Sequence, residues 1–297
     1  MKINQPTLLV DREKALANIR MMVGRAESGR VRFRPHFKTH QSAEIGEWFR
    51  SEGVRQITVS SLDMALYFAD HGWMDITVAF PVNILEIDKI NVLAQRITLN
   101  LVVHSADAVT FLDKHLNHPV NVWVKVDVGT HRSGMSPGNL TAISDVVKRI
   151  VRAGRLTPVG LLAHAGHTYG MREKESIQEV FRGTRDIMQH LSDQLLPVAG
   201  NQLELSVGDT PGCCLTESFE GVDEIRPGNF VFFDVMQAVI GSCKPEQIAV
   251  AMACPVVGVF PERGELLIYG GGVHLSKDSL NVDGRTQYGW LTDFRGG

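Results

Sequence analysis

Short apolar or β-branched runs alternate with amphipathic stretches from residue 31 to residue 226, and this alternation limits the folds open to the chain. The strand candidates are 31–34, 56–60, 76–80, 99–104, 120–128, 158–164, 202–207 and 222–226. Between them, 42–50, 62–71, 84–95, 106–115, 140–153 and 174–195 place apolar residues three and four apart, the period of a helix packed on one face. Ser42 and Asp107 read as helix starts, and Gly53, Gly72 and Gly154 as stops. A helix after each strand is the connection that parallel strands require. Eight such alternations point to an α/β protein with a (β/α)8 TIM barrel.

The flanks read differently. Residues 7–10 predict a short strand and 12–25 a helix. From Asn229 onward the runs 230–233, 250–260 and 265–269 are strand-like, parted by the turn signals Pro261-Glu262-Arg263-Gly264 and Gly270-Gly271-Gly272. The expected division is a barrel over 12–228, with 1–11 and 229–297 forming a β domain. The last ten residues, from Tyr288, read as a turn-like stretch, so that this domain is expected to be truncated.

Composition narrows the function classes. The 297 residues are 44% hydrophobic and 21% charged, with a net charge of −3, an ordinary soluble balance. No basic patch suggests nucleic acid, and no apolar run is long enough to span a bilayer. Residues 1–21 mix charges among apolar positions and lack a signal-peptide core. The four cysteines, Cys213, Cys214, Cys243 and Cys254, form no Cys-x-x-Cys pair, and their scarcity favours the cytoplasm.

In such barrels chemistry gathers where strands end, and polar residues fall there repeatedly. Lys38 and His40 follow the first strand; His104 and Ser105 end the fourth. Asp127, Thr130, His131 and Arg132 follow the fifth, and His164, His167 and Tyr169 the sixth. Ser206, Gly208, Asp209 and Thr210 follow the seventh, and Arg226, Gly228 and Asn229 the eighth. Within Arg34-Pro35-His36-Phe37-Lys38-Thr39-His40, Pro35 breaks the strand and leaves a lysine on its end. A desolvated lysine has the lowered pKa that a Schiff-base lysine needs; a solvated basic loop is the plainer reading. Ser206-Val207-Gly208-Asp209-Thr210-Pro211-Gly212 suits a phosphate, since small residues let N–H groups approach an anion. An ordinary turn explains that stretch equally well on its own.

The heptad ending at His40 resembles the cofactor-lysine motif of the fold-type III pyridoxal phosphate enzymes, nearest the D-threonine aldolase and D-serine dehydratase branch. The resemblance spans roughly 7–278 and implies that Lys38 forms the internal aldimine with pyridoxal 5′-phosphate. Lys125-Val126-Asp127-Val128-Gly129-Thr130-His131-Arg132 resembles a second signature and implies that Arg132 lies near the phenolic oxygen. His164-Ala165-Gly166-His167-Thr168-Tyr169 resembles a third. It implies that Tyr169 lies beside the cofactor and that His164 or His167 contacts it or relays protons. Arg226-Pro227-Gly228-Asn229 resembles the element that completes the phosphate grip, with Arg226 facing the pyridine nitrogen. Tyr269 to Asp278 resembles a turn of the β domain, and no role is assigned to Asp234 and Gln237.

The family's divalent metal, Zn or Mn, is implied to sit on a histidine with a cysteine or aspartate two residues later. No histidine follows Asp278, so those metal ligands are expected to be absent. The resemblance also implies a homodimer and a small D-amino acid substrate. Four readings follow: a lyase on D-β-hydroxy amino acids, a racemase on the same scaffold, a non-catalytic cofactor-binding protein, and a barrel hydrolase holding metal on His36, His40, His164 and His167.

Overall fold

The computed structural model describes residues 2–282 and 284–292; the end of the expected closing turn, 293–297, lies outside the described residues. β1 (Thr7–Val10) and α1 (Arg12–Ser28) precede eight parallel strands: β2 (Arg32–Phe33), β3 (Ile57–Val59), β4 (Asp75–Pro81), β5 (Thr98–Val103), β6 (Val120–Lys125), β7 (Leu156–Leu162), β8 (Glu204–Val207) and β9 (Glu224–Ile225). The crossovers are α2 (Ala43–Ser51), α3 (Leu62–Asp70), α4 (Ile87–Arg96), α5 (Ala106–His115), α6 (Leu140–Arg152), α7 (Lys174–Ala199) and the short α8 (Thr210–Leu215). Every barrel strand read from the sequence is present. Ser42, Ser61, Ser105 and Asn139 cap their helices through side-chain oxygens. Ser105 is therefore the start of α5, and Asp107 lies in its first turn.

The strands run in the order β2-β9-β8-β7-β6-β5-β4-β3. Pro35 cuts β2 short, yet the chain beyond it closes the barrel. His36 bridges Thr58 of β3, Phe37 N donates to Thr58 O at 2.8 Å, and Thr58 N donates to Pro35 O at 2.9 Å. A partly buried polar chain crosses the strands. Asn121 donates to Asn100 (3.1 Å), Asn100 to Asp75 (2.8 Å), and Arg34 to both Asp75 (2.6 Å) and Glu224 (2.7 Å). Ser206 donates to Glu224 at 2.6 Å, and Arg226 donates to Ser206 and, at 2.6 Å, to Ala163 O. Barrel interiors of this kind are ordinarily filled with branched apolar residues.

Around β9 two expectations fail. Residues 230–233 form no strand: Asn229–Val231 is a 3-10 turn, and Asp234 caps α9 (Val235–Ile240). All four of Phe230, Val231, Phe232 and Phe233 are buried, and a continuous apolar run carries no period to separate a strand from a buried turn. α8, missed in the sequence, begins at the Asp209 cap, with Pro211 in the first turn where a missing N–H costs nothing. β10 (Val250–Ala253) pairs antiparallel with β1. β11 (Val256–Phe260) with β12 (Glu265–Ile268), and β13 (Leu280–Val282) with β14 (Arg285–Gln287), form separate two-stranded sheets. Val257, Val259, Leu266, Leu267 and Tyr269 are exposed on or beside β11 and β12. Among the described residues no helix is long and apolar enough to cross a membrane.

Phe37 anchors the loop after β2. It is fully buried, with the rings of Phe49, Phe68 and Trp73 centred 5.0, 5.0 and 5.1 Å away. Gly46 of α2 lets the pair approach, since a Cβ there would stand 3.4 Å from Phe37 and 3.3 Å from Trp73. Phe37→Ala is expected to lower unfolding free energy by about 3–5 kcal/mol; urea denaturation showing less than about 1 kcal/mol would contradict this anchoring role.

Candidate active site

Lys38 stands at the barrel mouth, exposed, directly after the bridge that closes the sheet. Its backbone N–H donates to His36 Nδ1 at 3.3 Å, and Gln41, at φ +45°, turns the chain away by donating to Phe37 O at 3.0 Å. The surrounding walls strip water from the lysine and lower its pKa, and Arg132 lowers it further. Burial, then the positive neighbours Lys38 and Arg226, hold His36 well below its ordinary value. His40 sits elsewhere. It packs against Phe37, Phe49 and Phe68, receives the Ser42 N–H at 3.1 Å, and is pushed by burial to about 4. It is a half-buried packing histidine, seated against Phe49 of α2 and Phe68 of α3.

The loop after β6 delivers Arg132. Asp127 Oδ1 accepts the N–H groups of Gly129 (3.1 Å) and His131 (3.0 Å), and His131 is held at φ +54°. Burial works to raise the Asp127 pKa, but these two bonds outweigh it and keep it lowered. Gly134, at φ +116°, is required: a Cβ there would lie 2.8 Å from Asp127 N. Arg132 is exposed at the mouth. Below it Lys125, buried at the end of β6, is lowered to about 7 by burial and by Arg226 and Arg132.

The loops after β7, β8 and β9 meet one another. His164 bonds Gly208 O through Nδ1; a carbonyl only accepts, so the proton is on Nδ1 and Nε2 is bare. Burial keeps this ring neutral, at about 3. Thr130 Oγ1 donates to His164 O at 2.8 Å and lies 3.4 Å from His167 Nδ1, placing His167 toward the β6 loop. Tyr169 Oη accepts the Thr210 N–H at 3.3 Å, and its ring is centred 6.5 Å from that of His164. Asp209, raised to about 6 by burial, accepts from Gly212 N (2.6 Å) and Thr168 Oγ1 (2.8 Å), and so sets the start of α8. The Ser206 hydroxyl is already engaged with Glu224 and Arg226. Asn229 donates to Asp234 Oδ2 at 2.7 Å.

Glycines bring these loops into contact. A Cβ at Gly208 would lie 2.9 Å from Arg226 backbone atoms, and one at Gly228 would lie 2.9 Å from His36 O. Every site residue singled out in the sequence therefore sits on the C-terminal rim or just beneath it, His40 excepted. A hollow of about 460 Å³ lies at the opposite face, between Met74, Arg96, Pro119 and Thr157, where these barrels keep stability rather than chemistry. Among the described residues no three histidine, cysteine, aspartate or glutamate side chains come together to hold a metal.

The parallel barrel with a lysine at its mouth and glycine-packed loops beside it defines an alanine racemase-like barrel of the fold-type III class. The chain belongs to the family of the alanine racemase N-terminal domain, whose profile matches residues 10–235. It is 28% identical to D-threo-3-hydroxyaspartate dehydratase of Delftia sp. (strain HT23) over 98% of this chain and 77% of that one. It is 32% identical to D-serine dehydratase of Dictyostelium discoideum, over 93% and 74%. The solved structure of the Delftia sp. HT23 dehydratase superposes with a TM-score of 0.88 at 26% identity, covering 96% of this chain and 80% of that one.

The residues fit the pyridoxal phosphate of this family. Lys38, Lys125, Arg132 and Arg226 supply positive charge to one mouth, and the buried Thr210 Oγ1 has no hydrogen-bond partner among the described residues. Lys125 and Thr168 were passed over in the sequence. A lysine ending the apolar run Val122-Trp123-Val124 was the available signal for the first; nothing local marked the second.

Two half-buried imidazoles set an acid limit. His40 and His164 have folded pKa values of about 4 and about 3, below the unfolded value of about 6.5. The unfolded chain therefore binds more protons as pH falls below about 6.5, and stability falls, by up to ~1.4 kcal/mol per pH unit per histidine. Glu224, held below its ordinary value by Arg34 and Arg226 against its burial, loses stability in the same direction. Asp209 opposes it between about 6 and about 4. Urea unfolding from pH 7 to 4 should show a net decline, shallower in His40→Phe; a flat profile would contradict the neutral-histidine assignment.

Proposed function

We propose that this chain is a pyridoxal 5′-phosphate-dependent lyase acting on D-β-hydroxy amino acids, of dehydratase or aldolase type. Lys38 carries the reading: a lysine of lowered pKa at the mouth of a parallel barrel, beside the glycine-packed loops that follow β8 and β9. The relatives' names, two dehydratases of D-amino acids, support the reaction class.

Bound pyridoxal phosphate supplies an electron sink for the pair released at the substrate's α-carbon. The chain's own residues do the rest. Lys38 Nζ would hold the cofactor covalently until the substrate amine displaces it, and the freed amine, with its lowered pKa, would then be the base for the α-proton. His164, with its proton spent on Gly208 O, offers Nε2 as an acceptor and no charge. His167, near the Thr130 hydroxyl, and Tyr169, with its ring 6.5 Å from that of His164, are the remaining proton-handling groups. Arg132 neutralises the phenolate edge. Gly208, Thr210, Gly228 and Asn229 form the phosphate cradle; Ser206 orients Arg226 beneath it, and Asp209 orients Thr210. The family's divalent metal has no ligand group among the described residues.

The same proposal includes the division into a barrel over 12–228 and a second part from 1–11 and 229–297, supported by the pairing of β1 with β10. It includes a homodimer, supported by the exposed apolar side chains of β11 and β12, and a cytoplasmic location, supported by four free thiols.

Borohydride should fix the cofactor on Lys38, found by peptide mass. Lys38→Ala should lower turnover by at least about 10²-fold. D-serine or D-threo-3-hydroxyaspartate should yield a keto acid and ammonia, and D-threonine, if the aldolase reading holds, glycine and an aldehyde. Assays run with and without Zn²⁺ or Mn²⁺ that give only racemised D-alanine would replace the lyase with a racemase.

A further inference from the structure

Gln237 is a buried polar residue near the cradle to which the proposed chemistry assigns no part. It lies in α9 and is fully buried, yet neither Nε2 nor Oε1 meets a hydrogen-bond partner among the described residues. A buried amide with both ends open is costly and rare, and such a group calls for a polar occupant beside it. Its surroundings tie it to the cradle. Asp234 Oδ1 accepts the Gln237 N–H at 2.9 Å, while Asp234 Oδ2 accepts Asn229 Nδ2 at 2.7 Å. One carboxylate thus fixes the start of α9 against the cradle loop. The turn Gly166–Gly170, which carries Tyr169, packs against α8 and α9 alike. Tyr169 Oη in turn receives the N–H of Thr210, whose Oγ1 is also buried and unpaired.

We propose that Gln237 is a phosphate-binding residue of the cofactor site, donating its Nε2–H to the phosphate ester together with the Thr210 hydroxyl. Both are neutral donors, so they orient the anion without adding to the positive charge already at the mouth. This inference rests on the reading of the site as a pyridoxal phosphate site. It adds a contact from an element beyond the barrel, reached through the Asp234 tie.

The test compares two probes on the apoprotein, pyridoxal 5′-phosphate and pyridoxal, which differ only by the phosphate. Titration by absorbance gives a dissociation constant for each. Wild type should favour the phosphate ester. Gln237→Leu should weaken pyridoxal phosphate by roughly 10- to 100-fold, the loss expected for a hydrogen bond to a charged group, and leave pyridoxal unchanged. Gln237→Glu keeps the shape and places a carboxylate against the phosphate; it should lose more, and it serves if the leucine variant does not fold. Wild-type preference for the ester with the same ratio in the folded variants would overturn the role of Gln237 alone. A wild type with no preference would overturn the cofactor reading of the site, and this inference with it.

Discussion

Glu224 is the charge on which the barrel turns. It is wholly buried, and an unpaired carboxylate there would be prohibitive. Arg34 at the end of β2 and Ser206 on β8 each bond one of its oxygens, and Arg226 joins through Ser206. Burial pulls the Glu224 pKa up, and the two arginines more than reverse it. An ion cluster of this kind adds little net stability over an apolar core, but it tolerates few geometries. It ties the end of β2 to β9 and β8, four residues before Lys38 and at the root of the cradle loops. The interior charge therefore sets where lysine and cradle stand relative to each other.

Above that cluster the mouth gathers cations while its histidines stay neutral. Lys38, Lys125, Arg132 and Arg226 act on one another through a poorly hydrated space, and the two lysines are lowered accordingly. Burial first, and then the same field, leads His36 and His164 to give up their charge. Such a rim is suited to an anionic guest. Backbone strain accompanies it, since Gln41, His131 and Phe233 hold positive φ values beside the three loops involved.

The alternation of strand and helix periods made the barrel legible, and the polar residues at strand ends marked its working face. What local pattern could not convey was long-range pairing. Arg34 reads as part of a motif, but nothing near it names Glu224 as its partner. His40 looks like a rim residue until Phe37, Phe49 and Phe68 are found around it. The run 230–233 offered hydrophobicity without period, and the Thr-Pro-Gly start of α8 looked like a turn. Gln237 was invisible because burial of a single glutamine depends on what the rest of the chain wraps around it.

The closure of β2 by β9 also has a cost in time. Arg32 and Glu224, neighbours in the sheet, are 192 residues apart in the chain. At 5–20 residues per second, a ribosome takes about 10–40 s to produce the later partner after the earlier one. For that interval the first strand has one open edge, and the lysine beyond it has no cradle to face. The reactive end of the site is thus made early and completed late, which leaves nascent chains with an exposed, unpaired lysine loop until the last barrel strand leaves the exit tunnel.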